Sequence, residues 1–193
     1  LEKHPLFVFV DPKETDVPSI SSSDVTVINT IDDITTVRNK LNSSTTYKYF
    51  EPGIHKWGTK TGADYDGYKL PVLSEKKIYL PGGAYVIGSF SGDNNSNWKV
   101  YGRGIISGAG LDILGDAAYI PWSAVHHQGT GSNFLVEGIV SMCPPHFGLT
   151  IRGTYCVIDN VKMMSWWYST DGTITGNNSQ VNNCFFKVND DGI

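Results

Sequence analysis

Short segments of similar sequence recur at a nearly constant interval in the second half of the chain. The segments that align with one another are 134–139, 156–161 and 179–184. Within them, Gly138 and Asn160 are 22 residues apart, and Asn160 and Asn183 are 23 residues apart. A second series, with spacings of 24 and 20 residues, consists of Gly148, Gly172 and Gly192. A period of about 20–24 residues, carried by short β-rich segments without helices between them, predicts a solenoid with one coil per period.

The fold class that follows is all-β, a right-handed parallel β-helix. A β-sandwich is the alternative, but it would show hairpin signals such as Asn-Gly between neighbouring strands. The second half of the chain has no Asn-Gly pair. In the solenoid we expect Ile139, Val161 and Cys184 to stack in one interior row. The pair of segments 49–54 and 79–85, which resemble each other, extends the repeat towards the N-terminus.

One helix is predicted, over residues 32–41, because Ile34, Val37 and Leu41 have helical spacing and Asp32 and Asp33 lie near its start. We expect this short helix to cap the open end of the coil stack. Residues 6–10 and 25–29 are predicted to be short strands. We expect residues 1–24 to be a linker or strand that leaves a preceding domain. Residues 25–193 would then be the N-terminal part of a parallel β-helix catalytic domain, within a longer protein.

The charge balance and the hydropathy pattern exclude two classes of partner. The chain has 15 Lys and Arg against 19 Asp and Glu, whereas a nucleic-acid-binding protein needs a basic face. No apolar run approaches the roughly 18 residues that span a bilayer, so we expect no membrane partner. Three glycosylation sequons favour a secreted, extracellular glycoprotein, and they begin at Asn42, Asn94 and Asn177.

The cysteine count leaves two interpretations open. Cys143, Cys156 and Cys184 are an odd number, so one could pair outside the chain, or all three could be small core residues. No CxxC pattern or Cys/His cluster indicates a metal site. We therefore expect neither a metal nor another cofactor.

Two acidic segments fall one period apart. Asp171 precedes Gly172, and the doublet Asp190-Asp191 precedes Gly192. Because parallel strands lie about 4.8 Å apart, the three carboxylates should share one small patch. Crowded carboxylates resist joint ionisation, which leaves one protonated beside others that are ionised, as glycoside hydrolysis requires. The alternative to a catalytic role is that each Asp-Gly pair is only a turn dipeptide.

Aromatic and histidine residues near this patch are candidates for substrate binding. Trp166, Trp167 and Tyr168 precede Asp171, and strand alternation would bury one Trp and expose the other. An exposed aromatic face suits stacking on sugar rings, and core packing is the alternative. His146, two residues before Gly148, could line the same groove or serve a structural role. His126 and His127 are further candidates. No Lys or Arg occurs between residues 164 and 176, which favours a neutral polysaccharide over a polyuronate.

A TDG segment followed about twenty residues later by a DDG segment resembles the polygalacturonase-like β-helix hydrolases of glycoside hydrolase families 28 and 49. The WWYSTDG version, with 19 residues from Asp171 to Asp190, is most similar to family 49, the dextranases and isopullulanases. LPGGAYVIGSF and KVYGRGIISGAG also resemble this clan, so the resemblance covers about residues 49–193. Polygalacturonases usually have Asn where this chain has Ser169, which weakens the family 28 alternative.

The resemblance implies an inverting endo-hydrolase of a neutral α-glucan. Asp190 matches the general acid, and Asp171 and Asp191 match the pair that activates water. The resemblance also implies a β-sandwich domain that precedes the β-helix. Dextranase, which cleaves α-1,6 linkages, is the favoured activity over isopullulanase, which cleaves α-1,4 linkages of pullulan.

Two further classes stay open at this point. The first is a non-catalytic β-helix that binds glycans, which would need exposed aromatics but no cluster of carboxylates. The second is a polysaccharide lyase, which would use a calcium site and a basic residue. The two acidic segments lack such a residue.

Overall fold

The computed structural model describes residues 6–57, 68–109 and 123–193, and these residues form one α-helix and 18 strands. The helix α1 spans Ile34–Leu41. The strands, in chain order, are β1 (Val25–Ile28), β2 (Tyr47–Phe50), β3 (Gly53–Lys56), β4 (Lys69–Pro71), β5 (Lys77–Leu80), β6 (Ala84–Ile87), β7 (Ser89–Ser91), β8 (Trp98–Gly102), β9 (Ile105–Ser107), β10 (Ser123–His127), β11 (Ser132–Glu137), β12 (Val140–Met142), β13 (Phe147–Ile151), β14 (Thr154–Asp159), β15 (Lys162–Met164), β16 (Thr173–Thr175), β17 (Gln180–Asn182) and β18 (Phe185–Lys187).

The strands form three parallel sheets that run the length of the stack. Sheet A has the order β1-β2-β5-β8-β11-β14-β17, sheet B has β3-β6-β9-β12-β15-β18, and sheet C has β4-β7-β10-β13-β16. The chain therefore visits A, B and C in turn, and each strand pairs with its equivalent one coil later. This is a parallel β-helix, as the sequence predicts.

The sequence repeat marks the corner between sheets A and B. Gly138, Asn160 and Asn183 follow equivalent residues of β11, β14 and β17, and all three have positive φ, at 75°, 55° and 52°. The left-handed conformation turns the chain sharply, and Gly and Asn tolerate it better than other residues. The 22- and 23-residue spacing is thus the length of one coil.

Aliphatic side chains in successive coils fill the interior. Ile78, Val100, Val136 and Ile158 are register partners on sheet A, and each is at most 1% exposed. Truncating such a residue to Ala typically costs about 2–5 kcal/mol. The interior row predicted from Ile139, Val161 and Cys184 begins just after the corner between sheets A and B. It is confirmed for two members, since Ile139 and Val161 are fully buried.

All three cysteines are free thiols in this structure. Cys156 is fully buried in the core. Cys184, the third member of the predicted interior row, packs against the core and is partly buried. The interpretation of the cysteines as small core residues therefore fits Cys156 best.

Helix α1 caps the end of the stack, as predicted. It packs against β1 and β4, the edge strands of sheets A and C, and it buries Val37 and Leu41. Asp33 is its N-cap, and the side chain accepts a hydrogen bond from the Thr36 amide at 2.7 Å. The helix thereby covers apolar ends that would otherwise face water.

The strand predicted at residues 6–10 is wrong, whereas the one predicted at 25–29 is present as β1. Residues 6–10 belong to none of the three sheets, and their contacts with the coils run through side chains such as Phe7 and Phe9. That residues 1–24 leave a preceding domain stays a prediction. Within the described ranges, no helix is long and apolar enough to cross a membrane.

Candidate active site

The three aspartates meet at the corner between sheets B and C. The amide of Gly148 donates to the carbonyl oxygen of Asp171 at 2.8 Å, and the amide of Gly172 donates to that of Asp191, also at 2.8 Å. Asp171 and Asp191 are therefore on consecutive coils. We refer to Asp171, Asp190 and Asp191 as the aspartate corner.

The glycines of this corner have a packing role. A Cβ atom on Gly148 would lie 2.5 Å from the carbonyl oxygen of Gly172, and one on Gly172 would lie 2.1 Å from that of Gly192. Both distances are too short for any side chain. The glycine series in the sequence thus reflects coils that stack backbone against backbone beside the aspartates.

The doublet lies between the two hydrogen bonds that flank Asp171. The amide of Asn189 donates to the carbonyl oxygen of Thr170 at 3.2 Å, so in a regular parallel ladder the Asn189 carbonyl would accept from Gly172. Gly172 bonds to Asp191 instead. Asp190 and Asp191 therefore form an irregular segment opposite Asp171, outside the regular strands, which we call the bulge. Both carboxylates are exposed as a result.

The electrostatic surroundings raise the pKa of Asp171. Partial burial of this carboxyl is the largest cause, and the negative charges of Asp190 and Asp191 act in the same direction. The charge of His146 and the backbone amide of Asp191 oppose them. The influence of the Asp190 charge on the pKa of Asp171 is what one expects of a carboxylate on the neighbouring coil.

An aromatic loop, residues 166–169, stands beside the aspartate corner. The chain leaves the ladder after Ser165, whose amide donates to the Lys187 carbonyl at 2.7 Å, and it returns at Thr170. Thr170 is fully buried, and its hydroxyl donates to the Trp167 carbonyl at 2.6 Å, which closes the loop. The amide of the Asn189 side chain donates to the Trp166 carbonyl at 3.3 Å, which links the loop to the doublet.

The prediction that one Trp is buried and the other exposed is wrong. Trp166 is 47% exposed, Trp167 is 49% exposed and Tyr168 is 68% exposed. Strand alternation fails because these residues lie in the loop and not in a strand. All three rings are therefore accessible beside the carboxylates.

Of the three candidate histidines, one lies near the aspartates and two do not. His146 lies just before β13, one coil ahead of Asp171, with its ring packed edge-on against Phe147 at 4.1 Å. His127 is fully buried, with its ring 4.3 Å from that of Phe134. His126 lies 3.5 Å from Asp93 and has no place at the aspartate corner.

The three sequon asparagines are exposed, and all lie away from the aspartate corner. Asn42 is the C-cap of α1. Asn94 and Asn177 lie in turns between sheets C and A, and the Asn94 side-chain oxygen accepts from the Thr130 amide at 3.1 Å. Glycosylation at these positions stays a prediction.

Sequence reasoning missed the polar residues that shape the corner. Ser165, Thr170 and Asn189 set the two ends of the loop and join it to the doublet. The only signal was that polar residues flank the aromatic run. In the part of the chain that the structure describes, no group of three or more His, Cys, Asp or Glu is arranged to hold a metal ion.

The structure is a three-sheet parallel β-helix with aspartates from two consecutive coils at one corner. Sequence comparison finds two dextranases that are similar to this chain. The chain is 28% identical over 181 residues to a dextranase of Arthrobacter sp. (strain CB-8) and 27% identical to one of Arthrobacter globiformis. Each match covers 80% of this chain and 27% of the relative, so the chain spans about a quarter of the length of these relatives.

Solved structures give the same fold. Dex49A from Penicillium minioluteum matches with a TM-score of 0.65 at 20% identity, over 87% of this chain and 32% of that one. A protein of Parabacteroides merdae assigned as a glycosyl hydrolase matches with a TM-score of 0.54 at 15% identity, over 76% of this chain and 84% of that one. No family model matches the chain. The resemblance to the dextranases of glycoside hydrolase family 49 is confirmed by the two sequence relatives, and Dex49A shares the fold.

Proposed function

We propose that the protein is an endo-acting glycoside hydrolase that cleaves the α-1,6 linkages of dextran with inversion at the anomeric carbon. The observation that supports this most directly is the position of Asp190 and Asp191 opposite Asp171. Inverting hydrolysis needs one carboxylic acid for the leaving oxygen and one carboxylate for water, on opposite sides of the sugar. Two coils that each present carboxyl groups at one corner can supply both.

The proposed roles follow the resemblance. Asp190 donates a proton to the glycosidic oxygen, and Asp171 and Asp191 accept a proton from the attacking water. The raised pKa of Asp171 is the one feature that favours a different division of roles, because a raised pKa suits a carboxyl to donate a proton. Exchange of the roles of Asp171 and Asp190 is therefore the second candidate, and kinetics of the variants distinguish the two.

The substrate is proposed to be a neutral α-glucan. Trp166, Trp167 and Tyr168 offer exposed rings for the apolar faces of glucose units, and His146 lines the same corner. No Lys or Arg lies in the stretch 164–176 that carries the aromatic loop and Asp171. A uronate chain would call for cations there. We also propose a secreted, extracellular glycoprotein, in line with its three exposed sequons.

The test is incubation of the full-length protein with dextran, pullulan and polygalacturonate, followed by sizing of the products, with an Asp190→Asn variant as control. Dextran should be cut into oligosaccharides by the wild type and not by the variant. Cleavage of pullulan alone would indicate an isopullulanase, and cleavage of polygalacturonate a polygalacturonase. Binding of dextran with equal affinity by both proteins, and no cleavage, would leave a non-catalytic glycan-binding β-helix.

A further inference from the structure

The N-terminal residues 6–16, which we call the strap, lie along the outside of the coil stack. The strap starts at the late coils, where Phe7 and Phe9 contact Phe185 of β18. It ends at the early coils, where Glu14 accepts a hydrogen bond from Tyr79 of β5 at 3.2 Å and Asp16 pairs with Lys99 of β8 at 3.3 Å. The strap thus links coils that are far apart in the stack.

Aromatic contacts fix the strap to the coil that carries the doublet. The ring centroid of Phe185 is 5.3 Å from that of Phe7 and 5.1 Å from that of Phe9. Phe7 and Phe9 stack on each other at 6.4 Å. Phe185 is five residues before Asp190, on the strand that leads into the bulge.

An ion pair fixes the strap to the coil that carries Asp171. The ammonium group of Lys162 in β15 donates to the carboxylate of Asp11, and it also donates to the Asn160 carbonyl at 3.1 Å and to the Asn160 side-chain oxygen at 2.9 Å. The Lys162 side chain is only 5% exposed. A buried charge of this kind depends on its partner, so Asp11 is held firmly.

Two of the residues that the strap contacts are partners of each other in a strand ladder. Lys162 and Phe185 are paired in the ladder of β15 and β18, which sets the register of the two coils that carry the aspartates. The regular register ends a few residues later, where Asp190 and Asp191 form the bulge. Because β15 and β18 end before the aspartates, their pairing is the last ladder that fixes the relative position of the two coils before the corner.

We infer that the strap is a positioning element for the aspartate corner: Phe7, Phe9 and Asp11 lock the register of β15 against β18 and so fix Asp171 relative to Asp190. This inference rests on the proposed function for its effect on catalysis. None of the three residues touches the aspartates, and each acts through Lys162 or Phe185.

The variant for the test is Phe7→Ala/Phe9→Ala in the full-length protein. Its matched control is Leu6→Ala/Val8→Ala, because Leu6 is 87% exposed and Val8 is 76% exposed on the other side of the same segment. The first readout needs no activity: hydrogen exchange of the amides in residues 185–192. Exchange should become faster in the Phe variant and stay at the wild-type rate in the control. Equal exchange in all three proteins would overturn the inference, whatever the substrate is.

The second readout is kcat per folded molecule on dextran, with the folded fraction measured on the same sample. Misplacement by about 1 Å can cost roughly 100-fold in rate, so we expect a 10- to 100-fold lower kcat with KM changed less than threefold. Restoration of kcat by Phe7→Leu/Phe9→Leu would support packing as the cause. An unchanged kcat together with faster exchange would also overturn the positioning role. A wild type without hydrolase activity is a failure of the proposed function alone, because hydrogen exchange still decides the register lock.

Discussion

Asp171 faces Asp190 across two consecutive coils, between the hydrogen bonds that join Thr170 to Asn189 and Gly172 to Asp191. One residue of the earlier coil thus opposes a bulge of the later coil, and three carboxyl groups converge without any long loop. Backbone hydrogen bonds join the two coils here, and the backbone amide of Asp191 also donates to the Asp171 carboxylate, a bond that an Asn side-chain oxygen can still accept. Conservative substitution of the aspartates should therefore leave the backbone geometry in place.

Asparagine variants of the three aspartates should separate the proton donor from the residues that activate water. Asp190→Asn removes the donor, so hydrolysis of dextran should fall by about 10²- to 10⁴-fold, whereas a glucoside with a good leaving group should lose much less. Asp171→Asn and Asp191→Asn should lose activity on both substrates alike. The measurement is kcat/KM on the two substrates. Rescue of Asp171→Asn and not of Asp190→Asn by the good leaving group would exchange the two roles.

Inversion predicts the anomer of the first product. A water between acid and base requires carboxyl groups about 6.5–9.5 Å apart and attacks the face opposite the leaving group. Cleavage of an α-glucan should therefore release the β-anomer first. Proton NMR within the first minutes of reaction reads the anomer before mutarotation. Release of the α-anomer would contradict the inverting mechanism while leaving the substrate unaffected.

Removal of an exposed ring should weaken glucan binding without harming the fold. Trp167→Ala should raise KM for dextran by up to about tenfold, since aromatic contacts contribute about 0.5–1.5 kcal/mol. The unfolding midpoint should stay within a degree or so, because Trp167 is about half exposed. Tyr155→Ala is the control, an aromatic residue that is 57% exposed on β14 and distant from the aspartates. Equal KM values for the two variants would show that the aromatic loop does not bind substrate.

The fold could be predicted from the sequence because its repeat has local causes. Gly138, Asn160 and Asn183 occupy a left-handed corner that few residues tolerate, and the glycines near the aspartates stack too closely for side chains. Each constraint recurs once per coil, so it is visible as a period. The juxtaposition of Asp171 with the doublet follows from the same period.

The remaining features depend on contacts that no local pattern records. Asp11 and Lys162 are 151 residues apart in sequence, so the strap could not be predicted from spacing. The exposure of both Trp166 and Trp167 follows from a loop that starts at Ser165, and the strand pattern that predicted alternation does not apply inside it. The bulge of Asp190 and Asp191 depends on the register of two coils, which a single segment cannot reveal.

The stacked glycines predict a steric effect of the smallest possible side chain. Gly172→Ala would place a methyl group 2.1 Å from the Gly192 carbonyl oxygen, so the coils must move apart. We expect a loss of about 1–3 kcal/mol in the free energy of unfolding. Gly82→Ala is the control, because its nearest atom, the Arg103 Cβ, is 3.9 Å away. Urea titration of both variants measures the difference, and equal stability would refute the steric argument.

The buried His127 predicts acid sensitivity of the fold. Burial is the largest cause that lowers its pKa below the ordinary 6.5, and the charge of Asp93 opposes it only partly. Below about pH 6.5 the unfolded state takes up the proton first, so stability falls with pH until the folded-state pKa is reached. His127→Phe keeps an aromatic ring against Trp98 and Phe134 and removes the contribution of His127 to this dependence. Unfolding free energies at pH 8 and pH 5 should differ less in the variant, by up to about 1.4 kcal/mol per pH unit. Equal differences in both proteins would contradict the role of His127.

The pKa of Asp171 should respond in opposite directions to the removal of two neighbours. Burial is the main cause that raises it, the charge of Asp190 raises it further, and that of His146 lowers it. Asp190→Asn should therefore lower the pKa of Asp171 towards 3.8 without reaching it, because burial and Asp191 remain. His146→Gln removes the favourable charge and should raise the pKa. NMR titration of the labelled carboxyl carbon measures both, with Asp159→Asn as a control on β14.

The change in the pKa of Asp171 should also be visible in the pH dependence of kcat/KM for the His146→Gln variant. If Asp171 accepts a proton from water, activity falls as the pH drops below its pKa. His146→Gln should then move the acidic limb of the kcat/KM profile to higher pH, in step with the NMR value. A limb that moves to lower pH, or a pKa that shifts in the same direction in both variants, would contradict the charge arrangement at the aspartate corner. An acidic limb that stays in place while the NMR value moves would assign water activation to Asp191 alone.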